Sequence, residues 1–83
     1  MDKIKIIVDI SYIYYEERYI TKKIELQIPG SSKLEYLIEE LKKLYPKLNF
    51  SQIIILINSK FIFKNIGLQD GDKITLLPQL MGG

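Results

Sequence analysis

Apolar residues at every second position, sustained over one stretch and then repeated in another, leave this chain little choice of fold. In "KIKIIVDISYIYY", residues 3–15, Ile4, Ile6, Val8 and Ile10 fall on one side, and Lys3, Lys5, Asp9 and Ser11 on the other. A period of two belongs to a β-strand buried on one face. The polar "EER" at 16–18 interrupts the pattern, which resumes in "YITKKIELQI" with Ile20, Ile24, Leu26 and Ile28 turned inward. Two strands with so short a link form an antiparallel hairpin. Tyr12, Tyr14, Tyr15 and Tyr19 crowd its tip, where cross-strand pairing is expected, with partner binding as the alternative role.

Pro29 and Gly30 end the hairpin, and the period changes. In "SSKLEYLIEELKKLYP", Leu34, Leu37, Ile38, Leu41 and Leu44 recur at helical spacing, which predicts an amphipathic helix over 33–45. Ser32 and Glu35 have the spacing of a capping box. Lys42 and Lys43 suit the negative end of the helix dipole, and Pro46 stops the helix. "QIIILIN" is too short for a helix and reads as a strand, turning at Asn58-Ser59 into "KFIFK". Asp70-Gly71 marks another turn before the last strand, "KITLLP". A lone helix must bury its stripe on one face of a sheet. The order predicts an α+β fold of β-grasp type: a mixed sheet of four to five strands on one main helix, with the first and last strands parallel at the centre.

Eighty-three residues allow one core, expected over 1–77, with 78–83 as a tail. No apolar run approaches the length that spans a bilayer. The opening Met-Asp-Lys runs straight into the first strand, so no signal peptide is expected, and the expected location is cytoplasmic. Twelve basic and ten acidic residues are well mixed, too even a balance to argue for direct nucleic-acid binding. The chain has neither cysteine nor histidine, which removes thiol chemistry, nucleophilic triads and the commoner zinc sites. Asp70 and Asp72 flank Gly71, but a calcium loop needs more oxygen ligands in order; a turn is the expected role. Ser31 and Ser32 read as helix caps, and Lys42, Lys43 and Lys47 as the solvated end of a helix. No catalytic residue is expected, nor any bound cofactor or metal, so the chain is not expected to be an enzyme by itself.

The C-terminal "LQDGDKITLLPQLMGG" carries the functional signal. Pro78 lacks an N–H and is expected to end the sheet. From there, six residues can reach roughly 20 Å. Gly82 and Gly83, without side chains, could enter a narrow channel and present an unhindered carboxylate. A carboxylate is inert until activated, for example as an acyl adenylate.

This end resembles that of the ubiquitin-like sulfur carriers: the small subunit of molybdopterin synthase, the thiamin-pathway sulfur carrier and the ubiquitin-related modifier of tRNA thiolation. The shared pattern is a leucine, an Asp-Gly-Asp turn, a hydrophobic strand and a terminal Gly-Gly; "IIILIN" with its short hairpin and the order of elements also match. The resemblance implies that Gly83 is adenylated and converted to a thiocarboxylate, with Pro78, Gln79, Leu80, Met81 and Gly82 inserted in a partner. The implied partners are an adenylating (E1-like) enzyme, which uses ATP, and a sulfur-accepting synthase subunit or thiolase. Pro78 brings the tail nearest to molybdopterin synthase, and "QLMGG" is about as near to the ubiquitin-related modifier. The alternative is a protein modifier joined through Gly83 to lysines of other proteins. Ile7 and Leu77 should point away from the helix and, with Leu80 and Met81, form an exposed apolar strip for the partner, unless a loop covers them.

Overall fold

The hairpin forms as the alternation requires, with one departure that decides where its aromatic residues point. The computed structural model describes residues 2–62 and 64–79. In it, β1 (Lys3–Tyr15) and β2 (Arg18–Pro29) pair antiparallel from Lys3↔Pro29 to Tyr15↔Arg18. The register slips between Ile10↔Lys22 and Ile13↔Ile20, so Ser11 and Tyr12 together face Thr21. This is a β-bulge. Tyr12 takes a left-handed φ of 57°, and its N–H donates to Thr21 Oγ1 at 3.1 Å. The extra residue reverses the alternation beyond it. Ile13 therefore enters the core, while Tyr12 and Tyr14 stay 63% and 58% exposed.

After the hairpin come α1 (Leu34–Leu44), a 3₁₀ turn (Phe50–Gln52), β3 (Ile53–Ile57), β4 (Lys60–Phe61) and β5 (Lys73–Pro78). The strand order is β2-β1-β5-β3-β4, with β1 and β5 parallel and the other neighbours antiparallel. This is the β-grasp arrangement. "KFIFK" contributes only Lys60 and Phe61 as strand, after a turn in which Asn58 and Ser59 have φ of 50° and 71°. Left-handed backbone at both central residues is what a two-residue hairpin turn demands.

The core forms between the helix and one face of the sheet. Leu34, Leu37 and Leu41 are buried with Ile4, Ile6, Val8, Ile10, Ile28, Ile74 and Leu76. Leu48 and Leu68, from the connections, close its ends. Ile20, Ile24 and Leu26, expected inward, pack on this core while half-buried. Leu44, expected in the stripe, is 53% exposed. The helix stops there, and the next residue, Tyr45, packs edge-on against Tyr15 at 5.5 Å between ring centres.

The capping box does not form. Lys33, not Ser32, is the N-cap, and its side chain makes no cap bond. Ser32 Oγ instead donates to Pro29 O at 2.6 Å. The helix is capped from a distance. Asn65 Oδ1 accepts from Glu35 N–H at 2.9 Å, and Ile66 O from Leu34 N–H at 2.8 Å. A side-chain acceptor on the second helical N–H satisfies a donor that the helix itself leaves orphaned.

Three stability measurements follow from this packing. Leu37→Ala or Leu41→Ala should each cost about 2–5 kcal/mol in denaturant unfolding, whereas Leu44→Ala should change little. Asn65→Ala should cost about 1 kcal/mol, more than Ser32→Ala. The turn between β1 and β2 places Glu16 and Glu17 at φ of 50° and 68°, a conformation that side-chain-bearing residues resist. Replacing the pair with Asn-Gly should therefore raise stability by about 1 kcal/mol.

Candidate functional site: the arm of the central strand and the sheet face beside it

β5 holds the functional candidates, and a polar network fixes its position. Asp70 Oδ1 accepts from Lys5 N–H at 2.7 Å, and Gly71 N–H donates to Lys5 O at 2.8 Å. Ile7 N–H donates to Asp72 O at 3.0 Å. The start of β1 is thereby tied to the entry of β5. Asp72 also accepts from Asn58 Nδ2 at 2.9 Å through Oδ1 and from Gln69 N–H at 2.8 Å through Oδ2. Asn58 Oδ1 in turn accepts from Lys73 N–H at 3.0 Å. The Asp-Gly-Asp segment is a turn whose carboxylates bind chain already present. Gly71 sits at φ 87°, where a side chain is strained. Among the described residues, no group of His, Cys, Asp or Glu is placed to hold a metal ion.

Pro78, expected at the head of the tail, is the last residue of β5, paired with Ile53. Gln79 N–H then donates to Gln52 O at 3.0 Å. Both fall within reach of the sheet because Pro78 lacks only a donor, and its neighbours still pair. Leu80, Met81, Gly82 and Gly83 lie outside the described residues.

The outer face of the sheet carries the other candidates. Ile7 and Leu77 both lie opposite the helix side, as expected, but they do not adjoin. Ile7 pairs with Lys73, and Leu76, next to Leu77, pairs with Ile10. Two ion pairs surround Ile7: Lys5 Nζ–Glu25 Oε2 and Lys73 Nζ–Asp9 Oδ2, each at 3.7 Å. Such exposed pairs contribute little to stability. Their consequence is that the β2–β1 half of the face is charged. The expected strip from Ile7 to Leu77 is therefore interrupted.

Leu77 instead has apolar neighbours on its other side. It pairs with Ile54, and Leu56 pairs with both Thr75 and Phe61. Leu77, Ile54, Leu56 and Phe61 therefore share the outer face, and Phe61 is 61% exposed. A shallow groove of about 250 Å³ runs along this edge, lined by Ile53, Ile54, Ile55, Phe61, Ile62 and Gln79. Sequence reasoning missed Ile54, Leu56 and Phe61. The unbroken run of β3 hides its alternation, and only the pairing with Leu77 shows which members face outward. The basic patch weighed for the helix end is neutralised. Lys42 pairs with Glu39, Lys43 with Glu40 and Lys47 with Glu16. The hydrogen bond to Glu40 raises the Lys43 ammonium above its ordinary pKa.

Among the described residues, β5 runs from the centre of the sheet to Pro78 and Gln79, next to an apolar half-face. No helix among the described residues is long and apolar enough to cross a membrane. No curated protein and no solved structure matched the chain. Residues 12–83, however, match the family model of the ThiS family, and the chain belongs to that family of ubiquitin-like sulfur carriers.

Proposed function

We propose that the carboxylate of Gly83 is the carrier group, activated as an adenylate and converted to a thiocarboxylate by a partner enzyme. ThiS-family carriers work with E1-like adenylating enzymes and synthases in general. The chemistry closes without any residue of this chain acting as catalyst. A carboxylate oxygen attacks the α-phosphorus of ATP, and pyrophosphate leaves. A sulfide-level donor then attacks the carbonyl carbon, AMP leaves, and the terminus retains sulfur in place of one oxygen. The thiocarboxylate sulfur is a nucleophile that an acceptor enzyme can use.

The observation that supports this reading best is the position of β5. It is bonded on both sides, by β1 and by β3, and the glycines follow its free end in sequence. A tail launched from the middle of a sheet has a fixed origin. Placement matters because a misalignment of about 1 Å can cost on the order of 100-fold in rate. The apolar half-face of Leu77, Ile54, Leu56 and Phe61 would then dock the activating enzyme, and Ile7 lies on its charged margin. Pro78 favours molybdopterin biosynthesis as the receiving pathway, with tRNA thiolation next.

Two measurements test this. With a cognate adenylating enzyme, ATP and a sulfide donor, the intact protein should gain the mass of sulfur for oxygen at its C-terminus. Deleting Gly83 shortens the reach by roughly 3.5 Å and should abolish the product while leaving the unfolding midpoint unchanged. Recovery of Gly83 in an isopeptide bond to lysines of other proteins would establish the modifier reading instead. Leu77→Asp should raise the KM for the carrier about ten-fold or more without unfolding it. If the loss of activity tracks loss of fold, Leu77 belongs to the core and the docking face is elsewhere.

A further inference from the structure

The hairpin of β1 and β2 outruns the rest of the sheet. β1 pairs with β5 from Ile7↔Lys73 to Ile10↔Leu76, yet continues to Tyr15. Because the two strands are parallel, this overhang projects at the end of the sheet from which the tail departs. Its two faces differ. On the helix side, Ile13 and Ile20 pack on the core, and Tyr15, Arg18, Lys22 and Tyr45 line a groove of about 460 Å³. On the outer side stand three tyrosines. Tyr12 and Tyr19 stack with ring centres 4.9 Å apart at 14°, and Tyr14 meets Tyr19 edge-on at 5.1 Å and 65°.

These rings remain 63%, 58% and 59% exposed for Tyr12, Tyr14 and Tyr19. The core does not need them, since Ile13, Ile20 and Tyr15 supply the packing of this hairpin. Tyr12 is held there by the bulge and by a left-handed backbone, a conformation with a cost for any residue bearing a side chain. Bulges re-aim side chains, and here the result is an aromatic stack facing water. Large rigid rings with hydroxyl handles dominate the energetics of protein interfaces. On this outer face Lys23 stands opposite Asp9, so its charge is balanced, while Arg18 and Lys22 sit on the helix-facing side. The stack therefore suits a protein recess that is apolar and offers hydrogen-bond acceptors, and suits a polyanion poorly.

We propose that Tyr12, Tyr14 and Tyr19 form a second docking arm for the adenylating enzyme that receives the C-terminal glycines; this rests on the reading of Gly83 given above. Chain length carries the argument. Four residues separate Gln79 from the end of Gly83, a reach of roughly 14 Å. Continuing the parallel pairing one step sets Leu77 opposite Ser11, so strand spacing puts the rings within roughly 15 Å of Gln79. An enzyme that closes its active site around Gly83 works at the end of the sheet where the overhang projects. It meets the tyrosines on one side of the arm and the Leu77–Ile54 face on the other.

The test is ATP–pyrophosphate exchange by the cognate adenylating enzyme, with the carrier varied. Tyr12→Ser combined with Tyr19→Ser should raise the KM for the carrier about ten-fold or more, with kcat unchanged and the unfolding midpoint retained. Arg18→Ser combined with Lys22→Ser, on the other side of the same hairpin, should leave KM within about two-fold, below the cost of a hot-spot residue. Fluorine NMR of the unsubstituted carrier labelled with fluorotyrosine gives a readout that no variant's folding can confuse: the resonances of Tyr12, Tyr14 and Tyr19 should shift when the enzyme is added. Unshifted resonances, or an unchanged KM in a folded tyrosine variant, overturn this proposal alone. No exchange with the unsubstituted carrier overturns the reading of Gly83 and this proposal with it.

Discussion

Pairing the first strand with the last is the constraint on which the molecule rests. β1 and β5 lie side by side and parallel, although Lys5 and Asp70, which touch, are 65 residues apart in sequence. A parallel pair cannot be made by a tight turn, and its hydrogen bonds alone do not choose one register over the next. The choice falls to the turn before β5. Asp70 and Gly71 engage Lys5, while Asp72 engages Asn58 and the backbone of Gln69. One short segment thereby aligns three strands. With that alignment, Val8 and Ile10 meet Ile74 and Leu76, and the buried sheet face becomes a surface on which the helix can lie.

The legibility of the sequence varied with the range of the interaction. Hairpin, helix and strand order were readable because alternation and helical spacing are local and repeat several times. The parallel centre was readable because a single helix admits few ways to cover a sheet. What could not be read depended on partners distant in sequence. Ser32 and Glu35 have a local capping pattern, yet Asn65 supplies the cap, because the segment carrying Ile66 and Gly67 is pinned beside the helix start. The bulge at Ser11–Tyr12 left its mark only as Ile13 falling out of phase with Ile4, Ile6, Val8 and Ile10. That mark is visible once one knows that Ile13 is buried.

The candidate site shows the same division. Leu77 could be assigned to the outer face by counting from Leu76. Its distance from Ile7 could not be, since it depends on the register between two strands. That register set Lys73 beside Ile7 and its ion pair with Asp9 in the space between, while Glu25, paired with Lys5, flanks Ile7 on the side of β2. The apolar surface consequently lies toward β3 and β4, not toward β2. A face half ionic and half apolar can orient a partner as well as hold it, because a rotated partner would bury charge against apolar atoms.

The central position of the last strand also bears on how the protein is made. A ribosome releases β1, β2 and α1 long before β5 emerges, and until then the inner edge of β1 has no neighbour and Val8 and Ile10 lack part of their cover. Non-local pairing of this kind delays folding until nearly the whole chain is present. A product truncated before Lys73 lacks the middle of its sheet and exposes apolar edges of the sort that cellular proteases remove. In this topology the folded state is itself a check on completeness through Pro78. The strand that must arrive last for the domain to stand is the one that leads directly into the glycines.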